Sequence, residues 1–164
     1  MSLTPREFRT ALGRFATGVT VVTVHSAPGT IHGMTANSFA SVSLEPMQIL
    51  VSVNRTALTH SHLLEQKRFA VNILLEDQEP VARYFALQKQ DPDEASRLGI
   101  RLLCNERGVP LLWPCLAQLD CDLCVAHESG DHSVFIGNVE AASVYEGRPL
   151  LFYASRYARL EPEE

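Results

Sequence analysis

The feature that most constrains the fold is a succession of short apolar segments, rich in β-branched residues and separated by turn residues. Such segments cover 19–26, the stretch from residue 31, and then 47–53, 68–75, 115–126, 133–144 and 150–153. β-Branched and aromatic residues favour pleated strands, and Gly or Pro between them marks turns. The pattern predicts strands that outnumber helices about two to one.

Only a few segments have helical character. Residues 4–7 combine an N-cap threonine, a first-turn proline and a capping-box glutamate, which predicts a helix that ends near Gly18. Residues 57–67 have the spacing of a short amphipathic helix, and a further helix is predicted over 79–86. The stretch 88–108 is polar and without a strong period, and it predicts a long surface excursion.

These elements favour an antiparallel barrel over a parallel sheet, because parallel strands would need a helix in almost every crossover. The chain has 164 residues, of which 46% are apolar, enough for a core without disulfides. Neither a repeat nor a low-complexity linker divides it. The expected fold class is therefore mainly β with a few α-helices, in a single domain over 1–164.

Charge and hydropathy exclude two classes of partner. The net charge is −5, from 19 acidic and 14 basic residues spread along the chain, so no basic stripe is available for nucleic acid. No apolar run approaches the roughly 20 residues of a membrane span, and the N-terminus lacks the pattern of a signal peptide. We expect a cytoplasmic protein that binds neither nucleic acid nor membrane.

The four cysteines do not predict a metal site. Cys121 and Cys124 form a lone C-x-x-C, and no second pair completes a zinc site. In an extended strand, residues three apart point to opposite faces. An intracellular chain would keep its thiols reduced, so free and mostly buried cysteines are expected.

The segment 33–46, GMTANSFASVSLEP, carries an unusual density of small hydroxyl and amide groups for a strand. Such groups suit a ribityl chain and a phosphate. They also suit a strand edge and turn whose polar side chains only satisfy the backbone. Composition leaves both interpretations open.

Two further places have the chemistry of a binding site. Thr56, Thr59 and Ser61 lie near the start of a predicted helix, where unpaired N–H groups favour an anion and Arg55 adds a cation, although N-capping explains the same threonines. His132, in the turn Gly-Asp-His, is placed to contact a nicotinamide or is an idle surface residue. No nucleophile elbow or P-loop is present.

Six segments, in order along nearly the whole chain, resemble the flavin reductase-like, FMN-binding split-barrel family. These segments are 11–23, 33–46, 68–74, 108–112, 130–139 and 149–153. The resemblance implies a homodimer of split barrels with a Greek-key core, which binds FMN or FAD near the subunit interface and accepts NADH or NADPH over the flavin ring. Reduced flavin would then diffuse to a separate monooxygenase. Hydride transfer between these cofactors needs no nucleophile or metal.

The resemblance also implies which residues bind the flavin. Those expected to hold its ribityl chain and phosphate are Met34, Thr35, Ala36, Asn37 and Ser38. Those expected along its isoalloxazine ring are Ser52, Val53 and Asn54. Thr59 would join the phosphate site.

On the nicotinamide side the resemblance implies His132 as the functional residue, with Asp131 shaping its turn. Arg156 and Tyr157 are further candidates for that side. The chain departs from the family pattern at 90–107, where relatives often carry an aromatic residue and glycines, and at 153–157, which lacks the usual glycine.

Two other functions remain open from the residues. One is an FMN-binding electron carrier or storage protein that does not oxidise nicotinamide. The other is an oxidase of the pyridoxamine-phosphate type, which shares the general barrel but resembles these segments much less. Loss of NADH absorbance in the presence of free FMN distinguishes the flavin reductase from both.

Overall fold

The computed structural model describes residues 3–161, within which the chain forms four helices and twelve strands. The helices are Pro5–Leu12 (α1), Leu58–Gln66 (α2), Glu79–Phe85 (α3) and Pro92–Arg97 (α4). The strands are Thr17–Gly18 (β1), Thr20–Ala27 (β2), Thr30–Ala36 (β3), Phe39–Leu44 (β4), Met47–Asn54 (β5), Arg68–Ile73 (β6), Arg101–Cys104 (β7), Pro110–Trp113 (β8), Ala117–Ser129 (β9), His132–Val144 (β10), Leu151–Tyr153 (β11) and Arg156–Ala158 (β12). The mainly β prediction is confirmed.

Seven strands form one antiparallel sheet in the order β3-β2-β6-β9-β10-β5-β4. β3 and β4 are consecutive in the chain but lie at opposite edges of this sheet. Only Asn37 and Ser38 connect them, so the two edges can be no more than about 11 Å apart. The sheet must therefore curl, and it forms the predicted split barrel.

The apolar core is divided between the inside and the outside of the barrel. Val22, Val51, Phe69 and Phe135 are among the fully buried side chains of the inner cluster, and α2 contributes Leu63 to it. The outer cluster covers the other face of β2 with side chains of α3 and β8. β2 is consequently buried on both faces, which explains its continuous β-branched sequence.

Two sequence predictions of local structure were wrong, and a third was incomplete. α1 ends at Leu12 and Gly13 caps it, instead of continuing to Gly18, because the helix buries none of its residues and gains nothing from added turns. The strand expected from residue 31 breaks at Asn37 and Ser38, where the chain crosses between sheet edges. The excursion 88–108 contains α4 and β7, and the latter pairs with β8.

None of the helices in residues 3–161 is long and apolar enough to cross a membrane.

Candidate functional site

The corner between β3 and β4 positions the polar segment predicted to bind a ligand. The Thr35 hydroxyl donates to the carbonyl of Ala82 at 2.6 Å, and the Ser38 hydroxyl donates to the carbonyl of Ser52 at 2.7 Å. Both hydroxyls thus satisfy backbone groups, as the structural interpretation of this segment expected. Their oxygens keep the capacity to accept a hydrogen bond. Asn37, at the corner itself, is exposed.

The first turn of α2 has no side-chain cap. Its N-cap residue is Ala57, and the first turn contains no acidic residue. Thr56 instead donates to the Asn54 side chain at 2.7 Å, and Thr59 lies deeper, 1% exposed. Ordinary N-capping therefore does not explain these threonines. The uncapped N–H groups and the positive helix end favour an anion here.

These two features meet in an open cleft of about 270 Å³. Its lining comes from three parts of the chain: residues 32–35, 57–59 and 85–88. The structure thus brings Met34, Thr35 and Thr59 together, as predicted for one site. The walls combine apolar side chains with a few convergent polar groups, which is the usual composition of a small-molecule site.

A smaller cavity of about 100 Å³ adjoins the first, since Thr35 lines both. Its other lining residues are Val19, Ala36, Asn37, Phe152 and Tyr157. The rings of Phe152 and Tyr157 pack edge to face with centroids 5.3 Å apart, and burial raises the pKa of Tyr157. The structure therefore places Tyr157 beside the predicted flavin segment. Arg156 is exposed and does not line this cavity.

The end of β5 carries the three residues predicted to lie along the isoalloxazine. Val53 is 1% exposed and belongs to the inner core cluster, so only its backbone is available to a ligand. Ser52 and Asn54 are partly exposed. Asn54 pairs with His132 across the sheet. The predicted flavin and nicotinamide residues are thus neighbours on adjacent strands.

His132 is held by the residue before it. Its Nδ1 lies 2.7 Å from Asp131 Oδ1, and this hydrogen bond lowers the pKa of the Asp131 carboxyl. The backbone N–H of Arg55 donates to the Asp131 carbonyl at 2.9 Å. The turn therefore docks on the segment that leads into α2, while the His132 side chain remains 43% exposed and accessible.

Sequence reasoning missed His32, Phe85 and Phe152 as site residues. His32 occupies the same strand face as Met34 by period-two alternation, and that signal could have identified it. Phe152 lies within the segment 149–153, but its pattern only indicated a strand. No local pattern reveals Phe85, because α3 reaches the cleft through tertiary packing.

The cysteines lie apart from this site. Cys121 is buried, and burial raises the pKa of its thiol to about 12, whereas Cys124 is exposed, as expected for strand residues that point to opposite faces. Burial also raises the pKa of Cys115 to about 11. Within residues 3–161 no group of three His, Cys, Asp or Glu side chains is arranged to hold a metal ion.

Comparisons with known proteins show which family the chain is similar to. Residues 12–161 match the family described as flavin reductase like domain. The chain is 41% identical to the NADH-dependent flavin reductase of a Rhodococcus species, over 97% of this chain and 88% of that protein. It is 38% identical to the flavin-dependent monooxygenase reductase subunit HsaB of Rhodococcus jostii (strain RHA1), over 99% of this chain and 82% of that protein.

A solved structure extends the similarity to the fold. It is the NADH:FAD oxidoreductase SgcE6 of Streptomyces globisporus in complex with NAD and FAD fragments. The sequences are 36% identical, the TM-score is 0.87, and the alignment covers 99% of this chain and 98% of that one. The resemblance found in the sequence is therefore confirmed.

Proposed function

Because the chain belongs to the flavin reductase like domain family, we propose that it oxidises NADH and reduces FMN or FAD in the cleft described above. The single observation that carries this placement is the meeting of the uncapped start of α2 with residues 33–35 of the polar segment in one cleft. The turn that contains His132 contacts Asn54 and Arg55, which lead into α2.

The residues present fit a flavin. The N–H groups of the first turn of α2 and the Thr59 hydroxyl suit its phosphate. Thr35, Asn37 and Ser38 offer polar groups to the ribityl chain at the corner between β3 and β4. Ser52, Asn54 and the backbone of Val53 would flank the ring. Tyr157 lines the adjoining cavity with Thr35 and Asn37 and stays a candidate for the nicotinamide side.

Bound together, the two cofactors supply the chemistry, which is hydride transfer from nicotinamide C4 to flavin N5. The protein's part would be to hold both rings in one orientation. His132 would contact the nicotinamide, and Asp131 fixes the orientation of the imidazole through its hydrogen bond to Nδ1. No side chain has to act as a nucleophile, so positioning accounts for the protein's share of the catalysis.

The reduced flavin then leaves for a separate monooxygenase. The name of the Rhodococcus jostii relative, a reductase subunit of a flavin-dependent monooxygenase, supports this partner class. The openness of the cleft to solvent suits a flavin that enters and leaves. We also propose a cytoplasmic location, in which the thiols of its four cysteines would stay reduced.

The direct test is to mix the purified protein with NADH and free FMN in the absence of oxygen and to follow the absorbance of both. A flavin reductase bleaches FMN at the rate at which NADH disappears. An electron carrier or storage protein binds FMN and leaves NADH unchanged. That second result would overturn the proposed activity.

Replacing His132 by alanine is expected to lower kcat/KM for NADH roughly tenfold, while the Kd for FMN stays nearly unchanged. The reason is geometric, since hydride transfer requires the reacting atoms at about 3–3.5 Å and loss of one orienting contact raises the barrier. Steady-state kinetics and FMN titration measure the two quantities. His127→Ala, which removes an exposed histidine of β9, is the matched control. Loss of FMN binding in His132→Ala with normal turnover would place His132 on the flavin side.

We expect the protein to be a homodimer with α1 in the interface. α1 buries none of its residues, and Phe8, Leu12 and Phe15 are all more than half exposed along one side of it and its continuation. Such an apolar face needs a covering surface, and a second copy supplies one. Sedimentation of the wild type should give twice the mass of one chain. The Leu12→Asp variant should sediment with the mass of a single chain. Thr10→Asp adds the same charge on the opposite side and should leave the dimer intact. A monomeric wild type with full activity would contradict this prediction.

A further inference from the structure

Three polar side chains meet where α2 packs against β3. His32 Nε2 lies 3.0 Å from Thr59 Oγ1, and the rings of His32 and His62 pack edge to face with centroids 5.6 Å apart. The Nδ1 atom of His62 is buried and has no hydrogen-bond partner within residues 3–161. The proposed reaction uses neither imidazole, although His32 lines the cleft itself.

On the basis of the flavin site proposed above, we propose that His32, which packs against His62, binds the flavin phosphate together with a proton. Phosphorylated flavins would then bind more tightly as the pH falls. Riboflavin, which has the same ring and ribityl chain but no phosphate, would not.

In the free protein His32 is biased toward the neutral form. Burial, and then the charge of His62, lower the pKa of His32. His32 is the only ionisable side chain among the described residues that line the cleft.

The elements packed around this pair do not offset that bias. β2 places Val24 opposite His32. Arg55, ahead of α2, is paired with Glu128 at 3.4 Å, and Glu65, the carboxylate one turn after His62, is exposed.

A phosphate in this cleft would favour the protonated form of His32 over the neutral form. A negative charge nearby favours the charged imidazole and raises the pKa of His32, so that binding takes up a proton. Protonated His32 donates from Nε2 to the Thr59 oxygen, which frees the Thr59 hydroxyl proton to donate to the phosphate. The helix N-terminus adds uncapped N–H donors to the same position.

The sign of the effect distinguishes this mechanism from titration of the ligand. The second pKa of a phosphate monoester is about 6, so a fall in pH converts the dianion to the monoanion. That change alone weakens binding to a site that prefers the greater negative charge. Tighter binding at lower pH must therefore come from a group on the protein.

The experiment compares FMN with riboflavin by fluorescence titration from about pH 8 to about pH 6, the range in which imidazole titrates. As the pH falls across this range, the Kd of FMN should fall, by at most about tenfold for each unit by which phosphate raises the pKa of His32, and the Kd of riboflavin should stay constant. Calorimetry of FMN binding in two buffers of different ionisation enthalpy should show proton uptake. Activity is not needed for either measurement.

His32→Asn and the double variant with His62→Asn should abolish both the tighter binding of FMN at low pH and the proton uptake, and leave only the weakening that the titration of the phosphate causes. Riboflavin binding reports whether the variants remain folded, and His127→Asn is the control that keeps both effects. If FMN binds more tightly than riboflavin but takes up no proton in the wild type, this inference is wrong while the phosphate site stands. If both flavins bind equally at every pH, the proposed phosphate site is wrong as well.

Discussion

Replacing Arg107 by methionine is expected to lower the free energy of unfolding by about 3 kcal/mol. The guanidinium lies 3.0 Å from Asp120 and 2.7 Å from Asp122. Asp120 is buried in the centre of the sheet, on β9, and its only other side-chain partner in the described structure is the Asn105 amide at 2.7 Å. Without Arg107 the Asp120 carboxylate remains buried with one neutral hydrogen-bond donor. This lowers the free energy of unfolding far more than the loss of an exposed ion pair does. Urea unfolding of the purified variant measures the difference.

A matched control is available at Arg68, which contacts the same cluster from solvent. Its Nε lies 3.5 Å from Asp122, and more than half of its side chain is exposed. Arg68→Met should therefore change stability by less than about 1 kcal/mol. Asp120→Asn in the Arg107→Met background should recover part of the loss, because no charge then stays buried. If the two arginine substitutions lowered the free energy of unfolding equally, the burial of Asp120 would not be the cause of the loss in Arg107→Met.

The strands could be predicted from sequence because most of them alternate or are continuously β-branched within a few residues. The strand predicted over 47–53 is observed as Met47–Asn54, and the strand predicted over 133–144 is observed as His132–Val144. The start of α1 was also predictable, because the Thr4 cap and the Glu7 capping box are local. Its end was not, because helix length depends on packing partners that α1 lacks within the single chain.

The pairing of β7 with β8 could not be predicted, since a distant residue helps to position β8. Asn72, on β6, is fully buried, and its amide accepts from the N–H of Leu112 at 2.9 Å. The same amide donates to the carbonyl of Val21 at 2.9 Å and to the Thr23 hydroxyl at 3.0 Å. Asn72, within one of the six segments that carry the family resemblance, thus has a structural role that no local period reveals.

The candidate site was partly predictable for a similar reason. The residues at 34–38 and Thr59 belong to continuous segments whose composition already indicated polar binding groups. Their convergence follows from the crossing between β3 and β4 and from the packing of α2. The wall formed by residues 85–88 depends on the position of α3 against β3, and only the tertiary structure shows that contact.

Replacing Phe85 by alanine is expected to lower the free energy of unfolding by about 3–4 kcal/mol and to weaken FMN binding. Phe85 is 2% exposed, packs edge to face on Tyr84 and forms one wall of the cleft. The variant loses the buried ring and leaves a cavity beside β3 that the backbone cannot close fully. Denaturant unfolding and FMN titration measure the two losses. Phe85→Leu, which keeps most of the volume, should cost less than about 1.5 kcal/mol.

Gly33 provides the partner for a double-mutant cycle, because a Cβ at this position would lie 2.5 Å from the Phe85 ring. Gly33→Ala alone should cost about 1–3 kcal/mol through overpacking and should narrow the cleft. In the Phe85→Ala background the added methyl group meets no ring and fills part of the cavity, so the double variant should be more stable than the sum of the single effects predicts, by about 1 kcal/mol or more. FMN affinity should follow the same pattern if the proposed cleft binds flavin. Additive stability effects would show that the close approach of Gly33 to Phe85 does not set the shape of this wall.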